Sequence, residues 1–272
     1  MAAIDDALHL YLGSDTASLV YHDSGTDPLH GIRVGSGSYS PLPWATVSGK
    51  PMLDFTSVAT NYVGYSAFPK VVIPHRWFTT DTDWTIAVWA SVPASPAGNG
   101  RLWSTGYNLG RNADYEFYLD TARRPLFRAR CTDGISDEVF GSTICAADTV
   151  CCFAITYDYS AREPRIYIDG SESSYYAGQG PTDFTCTGSL VPEAGDYQSR
   201  WITNVGMGGF AYSPGFYHQY NFRGNYLIGP AVWHRLLTAS ELAEVATIPS
   251  IPTVGGSAFT GIRGFSSRSL GA

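Results

Sequence analysis

The chain has 272 residues, of which 44% are hydrophobic, 14% aromatic and only 15% charged, with 29 glycines and 16 prolines. So much apolar side chain excludes global disorder, and a charged fraction well below the ~25% of ordinary soluble domains favours strands and turns over long solvated helices. Seventeen cationic against 24 anionic residues give a net charge of −7 without any long run of like charge, so phosphate-tracking nucleic-acid binding is disfavoured. Lysine stands only at Lys50 and Lys70, so 15 of the 17 cations are arginine, which holds its charge at packed polar contacts.

In chain order, period-2 apolar alternation bounded by Gly, Pro, Asn, Asp and Ser predicts strands at Leu8 to Leu12, Ser18 to His22, Asn61 to Tyr65, Trp84 to Val92, Arg101 to Thr105 and Tyr115 to Asp120. Further strands are expected at Leu126 to Cys131, Val150 to Tyr157, Arg165 to Asp169, Ile202 to Met207 and Tyr226 to Trp233. In Trp84 to Val92, alternation puts Trp84, Ile86, Val88, Ala90 and Val92 on one wholly apolar face, which belongs against a second sheet. A polar turn is expected at Ser160 to Pro164, and Asp169-Gly170 is a tight-turn signal. One helix follows, with Thr238 as N-cap and Glu241 at N3 of a capping box, before Pro249. Residues 1–247 therefore read as one antiparallel all-β jelly-roll sandwich with a short C-terminal helix. Residues 248–272 read as a tail, either flexible or an extended docking arm that uses Phe259, Ile262, Arg263, Phe265 and Arg268.

The first residues carry Asp5 and Asp6 where a secretion signal needs basic residues, so Sec export is not expected. No apolar run approaches the ~18 residues of a membrane span, and membrane insertion is not expected. Cys131, Cys145, Cys151, Cys152 and Cys186 include no Cys-x-x-Cys pair and are expected to be mostly free thiols, used as small apolar side chains. The six histidines lack zinc spacing.

Several segments, in order, resemble one family. They are Leu8 to Leu12 with Tyr21 to Gly31, Pro51 to Phe55 with Asn61 to Val63, Asp83 to Trp89, Phe153 to Asp158 with Arg165 to Gly170, and Phe222 to Leu242. Together they are similar to the laminin G-like domains of the concanavalin A-like lectin/glucanase superfamily, and the Phe153 to Gly170 hairpin is the most specific part. The resemblance implies a concanavalin A-like sandwich over about residues 5 to 247; that fold hosts lectins, hydrolases and structural modules alike.

Glycosidases of this fold need two carboxylates facing one another across the scissile bond. With seven glutamates, the nearest approach is Asp114, Glu116, Tyr118 and Asp120 on one face of a strand; a solvent face flanked by Arg111, Arg123 and Arg124 is the preferred reading, and no catalytic residue is assigned. Calcium, which some family members hold through loop oxygens, would use Asp23 and Asp27, although Gly229-Pro230 replaces the family's closing acidic pair. No other cofactor is expected. The aromatic segment Phe210 to Phe222 offers Tyr212, Phe216, Tyr217 and Tyr220 as an interface or a glycan platform.

A fold usually displayed outside cells, in a chain expected to fold in the cytoplasm, points to a bacteriophage virion component. The expected function is a non-enzymatic structural protein, such as a capsid decoration protein or a head or tail fibre or adhesin module. Its partners would be capsid or tail subunits and further copies of itself, with a cell-surface glycan as a possible ligand. A carbohydrate-binding lectin-like module is the alternative, and a glycoside hydrolase the third reading. Arg111, Arg123, Arg124, Arg128, Arg130, Arg263 and Arg268 are expected at assembly interfaces.

Overall fold

A computed structural model describes residues 6–10, 20–21, 31–34, 43–56, 70–73, 82–105, 115–130, 136–186, 203–205, 222 and 224–247. The first strands are β1 (His9–Leu10), β2 (Val20–Tyr21), β3 (Gly31–Val34), β4 (Trp44–Val47), β5 (Lys50–Asp54) and β6 (Lys70–Ile73). The middle of the chain supplies β7 (Trp84–Ser91), β8 (Gly100–Thr105), β9 (Tyr115–Leu119), β10 (Pro125–Arg130) and β11 (Ser136–Phe140). Then come β12 (Val150–Asp158), β13 (Glu163–Ile168), β14 (Ser171–Glu172), β15 (Thr203–Val205), β16 (Tyr226–Trp233) and the helix α1 (Ala239–Ala246).

The strands form two antiparallel sheets. One runs β14-β13-β12-β7-β16-β5-β4, with β1 also beside β16, and the other runs β11-β10-β9-β8-β15-β6-β3-β2. The expected all-β sandwich with one short C-terminal helix is thus the observed architecture. Strands β3, β4, β5, β6, β11 and β14 are not among those that alternation predicts. Each has two to five residues, too few for a period-2 pattern to stand out. Asn61 to Tyr65 and the tail 248–272 lie outside the described residues.

Between the sheets lies the main core. Trp84, Ile86, Val88, Ala90 and Val92 all enter it, as the alternation predicts, and meet Trp103, Tyr115, Phe117 and Phe127 from the facing sheet. Trp84 stacks on Tyr157 at 5.5 Å and meets Phe127 edge-on at 5.9 Å. Rings offset or tilted in this way satisfy the quadrupole preference of aromatic pairs, beyond the area they bury.

The second face of β7 is buried as well. Ala87 and Trp89 join Met52, Cys152, Ala154, Ile228, Ala231 and Trp233 in a smaller core closed by Leu242 and Val245 of α1. Trp89 Nε1 donates to the Val245 carbonyl at 3.1 Å, so the buried indole polar atom and the helix end satisfy one another. The helix starts as predicted. Glu241 N–H donates to Thr238 Oγ1 at 3.3 Å, and Thr238 N–H donates to Glu241 Oε2 at 2.8 Å. Arg235 donates to the same carboxylate at 3.0 Å and to Asp6 at 2.7 Å, fastening the helix start to the chain's first described turn.

These contacts, Arg235 first, hold the Glu241 carboxyl down at about 2, against an ordinary value of 4.5. A depressed folded-state value means the contribution is present above the unfolded value and is lost as pH falls from about 4.5 through about 2. Glu241→Ala is expected to cost about 1 kcal/mol at neutral pH, the usual worth of a capping interaction. Urea melts at pH 7 and pH 2.5 check this, the difference from wild type shrinking at the lower pH.

The hairpin of β12 and β13 is the segment of most specific resemblance, and its turns have local causes. Asp158 closes the first turn by accepting from Ala161 N–H at 2.9 Å and Ser160 Oγ at 2.8 Å, bonds that hold its carboxyl below the usual range. The turn occupies 159–162 and β13 begins at Glu163, two residues before the expected strand start, with Arg162 in the left-handed region. Asp169 and Gly170 both have positive φ, 48° and 78°, as a two-residue hairpin turn of the primed type requires. A Cβ on Gly170 would lie 2.7 Å from the Ala243 Cα of the helix. Gly170→Val is therefore expected to cost about 1–3 kcal/mol through backbone strain and helix displacement, read by thermal unfolding.

In β16 the pairing with β7 slips between Ile228 and Ala231, where Gly229 (φ 111°) and Pro230, joined by a cis peptide, oppose Val88. A Cβ on Gly229 would meet the Ala87 carbonyl oxygen at 3.2 Å. Gly229-Pro230 is thus a buried bulge in a central strand.

Candidate functional site

The strand proposed as a possible site is β9, and alternation is observed there. Tyr115, Phe117 and Leu119 enter the core, while Glu116 and Tyr118 face the other side of the sheet. Register sets Arg128 of β10 directly opposite Glu116 on one side and opposite Glu138 of β11 on the other. On the far side, Arg101 of β8 pairs with Tyr118. One face of four adjacent strands thus carries two arginines, two glutamates and a tyrosine.

Their geometry is that of a buried ion-pair network. Arg101 Nη2 donates to Glu116 Oε2 at 3.1 Å, and Arg128 Nη1 stands 3.6 Å from the same oxygen. Arg128 also pairs with Glu138. The Arg101 guanidinium lies 3.9 Å above the centre of the Tyr118 ring, and that of Arg128 lies 5.9 Å away, so both engage the ring face. Arg101 and Glu116 are each only 2% exposed. The expected solvent face is therefore corrected: Glu116 and Tyr118 are buried, because cross-strand arginines supply the countercharge that lets a carboxylate leave water. Burial pushes the Tyr118 hydroxyl up to about 12; Glu138 and Glu116 act the same way, and Arg128 and Arg101 oppose them. Burial opposes the charge of Arg128, but Tyr118, Glu138 and Glu116 outweigh it and raise its value.

Asp120 does something else. Its Oδ1 accepts from the N–H groups of Ala122 and Arg124, both at 2.9 Å, and its Oδ2 accepts from Arg124 Nε at 2.7 Å, closing the turn between β9 and β10. Arg123, in that turn, donates through Nε to the Cys145 carbonyl at 3.0 Å and through Nη1 to the Ala94 carbonyl. Arg124 leans over Phe140 and Tyr176 at 5.3 and 5.1 Å. The arginines expected at assembly interfaces are thus, for Arg123, Arg124 and Arg128, bound to acceptors and rings of their own domain. Arg111, Asp114, Arg263 and Arg268 lie outside the described residues, and so does the side chain of Arg130.

A glycosidase pair needs one carboxyl that hands a proton to the leaving group and a second across the bond. Here Glu116 faces two guanidinium groups and Asp120 closes a turn, so neither is presented for that task. Alternation along β9 alone concealed this arrangement. Arg128, between Phe127 and Ala129 in the predicted strand Leu126 to Cys131, was the available signal, because those two residues face the core and put Arg128 on the opposite side.

The remaining candidates are placed as follows. Tyr212, Phe216, Tyr217 and Tyr220, Asp23 and Asp27, and Phe259, Ile262 and Phe265 all lie outside the described residues. Phe222, at the end of the aromatic segment, is a core residue that meets Phe55 edge-on at 5.0 Å. Among the described residues no three His, Cys, Asp or Glu side chains gather as a metal site, and no helix is long and apolar enough to cross a membrane. Cys145, Cys151 and Cys152 are free buried thiols, as expected, whereas Cys186 is disulfide-bonded, which the sequence reading did not anticipate.

Two antiparallel sheets packed face to face, with one helix on the back of the first, define an antiparallel β-sandwich. Solved structures share it. The chain is similar to the botulinum neurotoxin serotype G binding domain (TM-score 0.56, 12% identity), covering 89% of this chain and 50% of that one. It is also similar to the binding domain of Paraclostridial Mosquitocidal Protein 1 (TM-score 0.53, 12% identity, 89% and 52%). A third similar structure is a Trypanosoma rangeli sialidase in complex with the inhibitor DANA (TM-score 0.51, 13% identity, 88% and 32%). The chain thus spans between about a third and a half of the length of these neighbours. No family model matches the sequence, and no curated protein matches it. At these identities the likeness establishes the fold.

Proposed function

We propose that the chain is a non-enzymatic attachment module, a lectin-like sandwich that is displayed and that recognises without cleaving. One observation carries this reading: Glu116, in the constellation that best matched a hydrolase site, is locked between Arg101 and Arg128 in a buried network. A strand face used in this way stabilises a scaffold, and recognition then belongs to the loops and rims of the sandwich.

The setting we favour is a virion, where the chain would act as a capsid decoration protein or a fibre or adhesin module. Co-sedimentation of the full chain with purified particles tests this setting. Binding that is lost on truncation after Thr247 supports the docking role of residues 248–272; failure of the full chain to sediment with any particle contradicts the setting. Glycan recognition is the second reading, supported by the binding-domain neighbours among toxins. A glycan array without a retained ligand removes it.

A further inference from the structure

Among the described residues three large hydrophobic side chains are exposed, Ile144, Tyr159 and Tyr176. Ile144 precedes β12 and Tyr159 follows it, so those two stand at opposite ends of a nine-residue strand. Tyr176, 37% exposed, is held in place from several sides. It opens a turn over 176–179, in which Gln179 N–H donates to the Tyr176 carbonyl at 3.0 Å and Gly178 has a φ of 73°, the left-handed third position of a type II turn. Both ends of that turn are bonded to Phe140, the last residue of β11. Tyr176 N–H donates to the Phe140 carbonyl at 3.2 Å, and Phe140 N–H donates to the Gln179 carbonyl at 3.0 Å. The ring is fixed as well as its backbone. It tilts against Phe140 at 4.8 Å, the Arg124 guanidinium stands 5.1 Å from its centre, and Arg124 Nη1 donates to its hydroxyl. As acceptor of that bond, the hydroxyl keeps its own proton to donate. Arg124 is held in turn by Asp120, whose Oδ2 accepts from its Nε at 2.7 Å. The loop that carries Ile144 is bound alongside, because Ser142 N–H donates to the Ser174 carbonyl at 2.7 Å and Ser174 N–H to Thr143 Oγ1 at 3.1 Å.

We propose that the Tyr176 ring, backed by Phe140 and Arg124 beside the end of β11, is a stacking platform for an uncharged pyranose of a glycan, with the Tyr176 hydroxyl donating to a sugar oxygen. The assignment rests on the glycan-recognition reading and gives that reading a place on the molecule. Several features select this occupant. A pyranose shows C–H bonds on one face and hydroxyls at its edge, and a tyrosine answers both with an apolar ring and a polar tip. The ring is ordered before any ligand arrives, so little of a weak stacking interaction is lost to immobilising it. Arg124, the cation at the ring, already has Asp120 as its counterion, so the charge there does not call for an acidic sugar. Size argues in the same direction. A protein partner covers about 800 Å² a side, whereas one partly exposed ring is on the scale of a single sugar residue.

The test places the full chain on immobilised neutral oligosaccharides ending in galactose, glucose, mannose or N-acetylglucosamine, with sialylated counterparts beside them. Tyr176→Ala and Tyr176→Phe are measured in parallel, and their melting temperatures check that both fold. The wild-type chain is expected to retain at least one neutral glycan. Tyr176→Ala is expected to weaken that binding at least about tenfold, as at an interface hot spot. Tyr176→Phe keeps the ring and loses the donor, and a loss of about threefold is expected. Undiminished binding by Tyr176→Ala overturns the platform and leaves glycan recognition standing. Retention of sialylated glycans alone overturns the choice of an uncharged sugar, and no retention by the wild-type chain overturns the platform together with the reading on which it rests.

Discussion

Glu116→Ala is expected to cost about 3–5 kcal/mol of folding stability, the range for removing one partner of a buried ion pair. The reason lies in what remains. Arg101, 2% exposed, would keep its charge away from water with its 3.1 Å carboxylate partner gone, and Arg128 would retain Glu138 alone. A domain's whole stability is of the order of 5–15 kcal/mol, so a loss of this size removes a large part of it. Glu116→Gln keeps shape and a hydrogen-bond acceptor and is expected to fall between wild type and Glu116→Ala. Replacing Arg101 by methionine together with Glu116 by leucine removes both charges and is expected to recover much of the loss, because the penalty comes from a buried charge that has lost its Glu116 counterion. Urea denaturation of the three variants checks the order. Equal losses for Glu116→Ala and the double variant would show that the penalty is not that of a buried charge deprived of its counterion.

The second large effect is expected at Trp89. Trp89→Ala deletes a fully buried indole from the core between sheet and helix and should cost about 3–5 kcal/mol. It also leaves the Val245 carbonyl without the 3.1 Å donor that holds the end of α1. Trp89→Phe keeps most of the ring but not the donor, and a loss of about 1–2 kcal/mol is expected, as for an orphaned buried acceptor. Amide exchange separates this from general loosening: the helix amides 242–246 should lose protection first, while β12 and β7 keep theirs.

The fold was legible where segments were long and repetitive. The eight residues Trp84–Ser91 alternate cleanly, and the Asp169-Gly170 turn and the Thr238–Glu241 capping box are local chemistry that needs no tertiary context. What stayed hidden depended on neighbours. Trp89 lies on the face of β7 that alternation left uncovered, and only the position of α1 buries it. The same holds for the candidate site. Alternation placed Glu116 and Tyr118 together, but their burial follows from Arg101 and Arg128, which are far along the chain or in another strand and meet them only through register. An arginine-rich composition signalled packed guanidinium groups; it could not say that Arg101, Arg123, Arg124 and Arg128 bind acceptors or rings within this domain.

The most direct measurement of the central claim is a time course of the full chain on immobilised, end-labelled glycans, recording retained protein and released label together. Recognition without cleavage predicts no label released above background, with wild type and Glu116→Gln indistinguishable in that respect. Release of label by the wild-type chain, abolished in a folded Glu116→Gln variant, would contradict it and make Glu116 a catalytic residue.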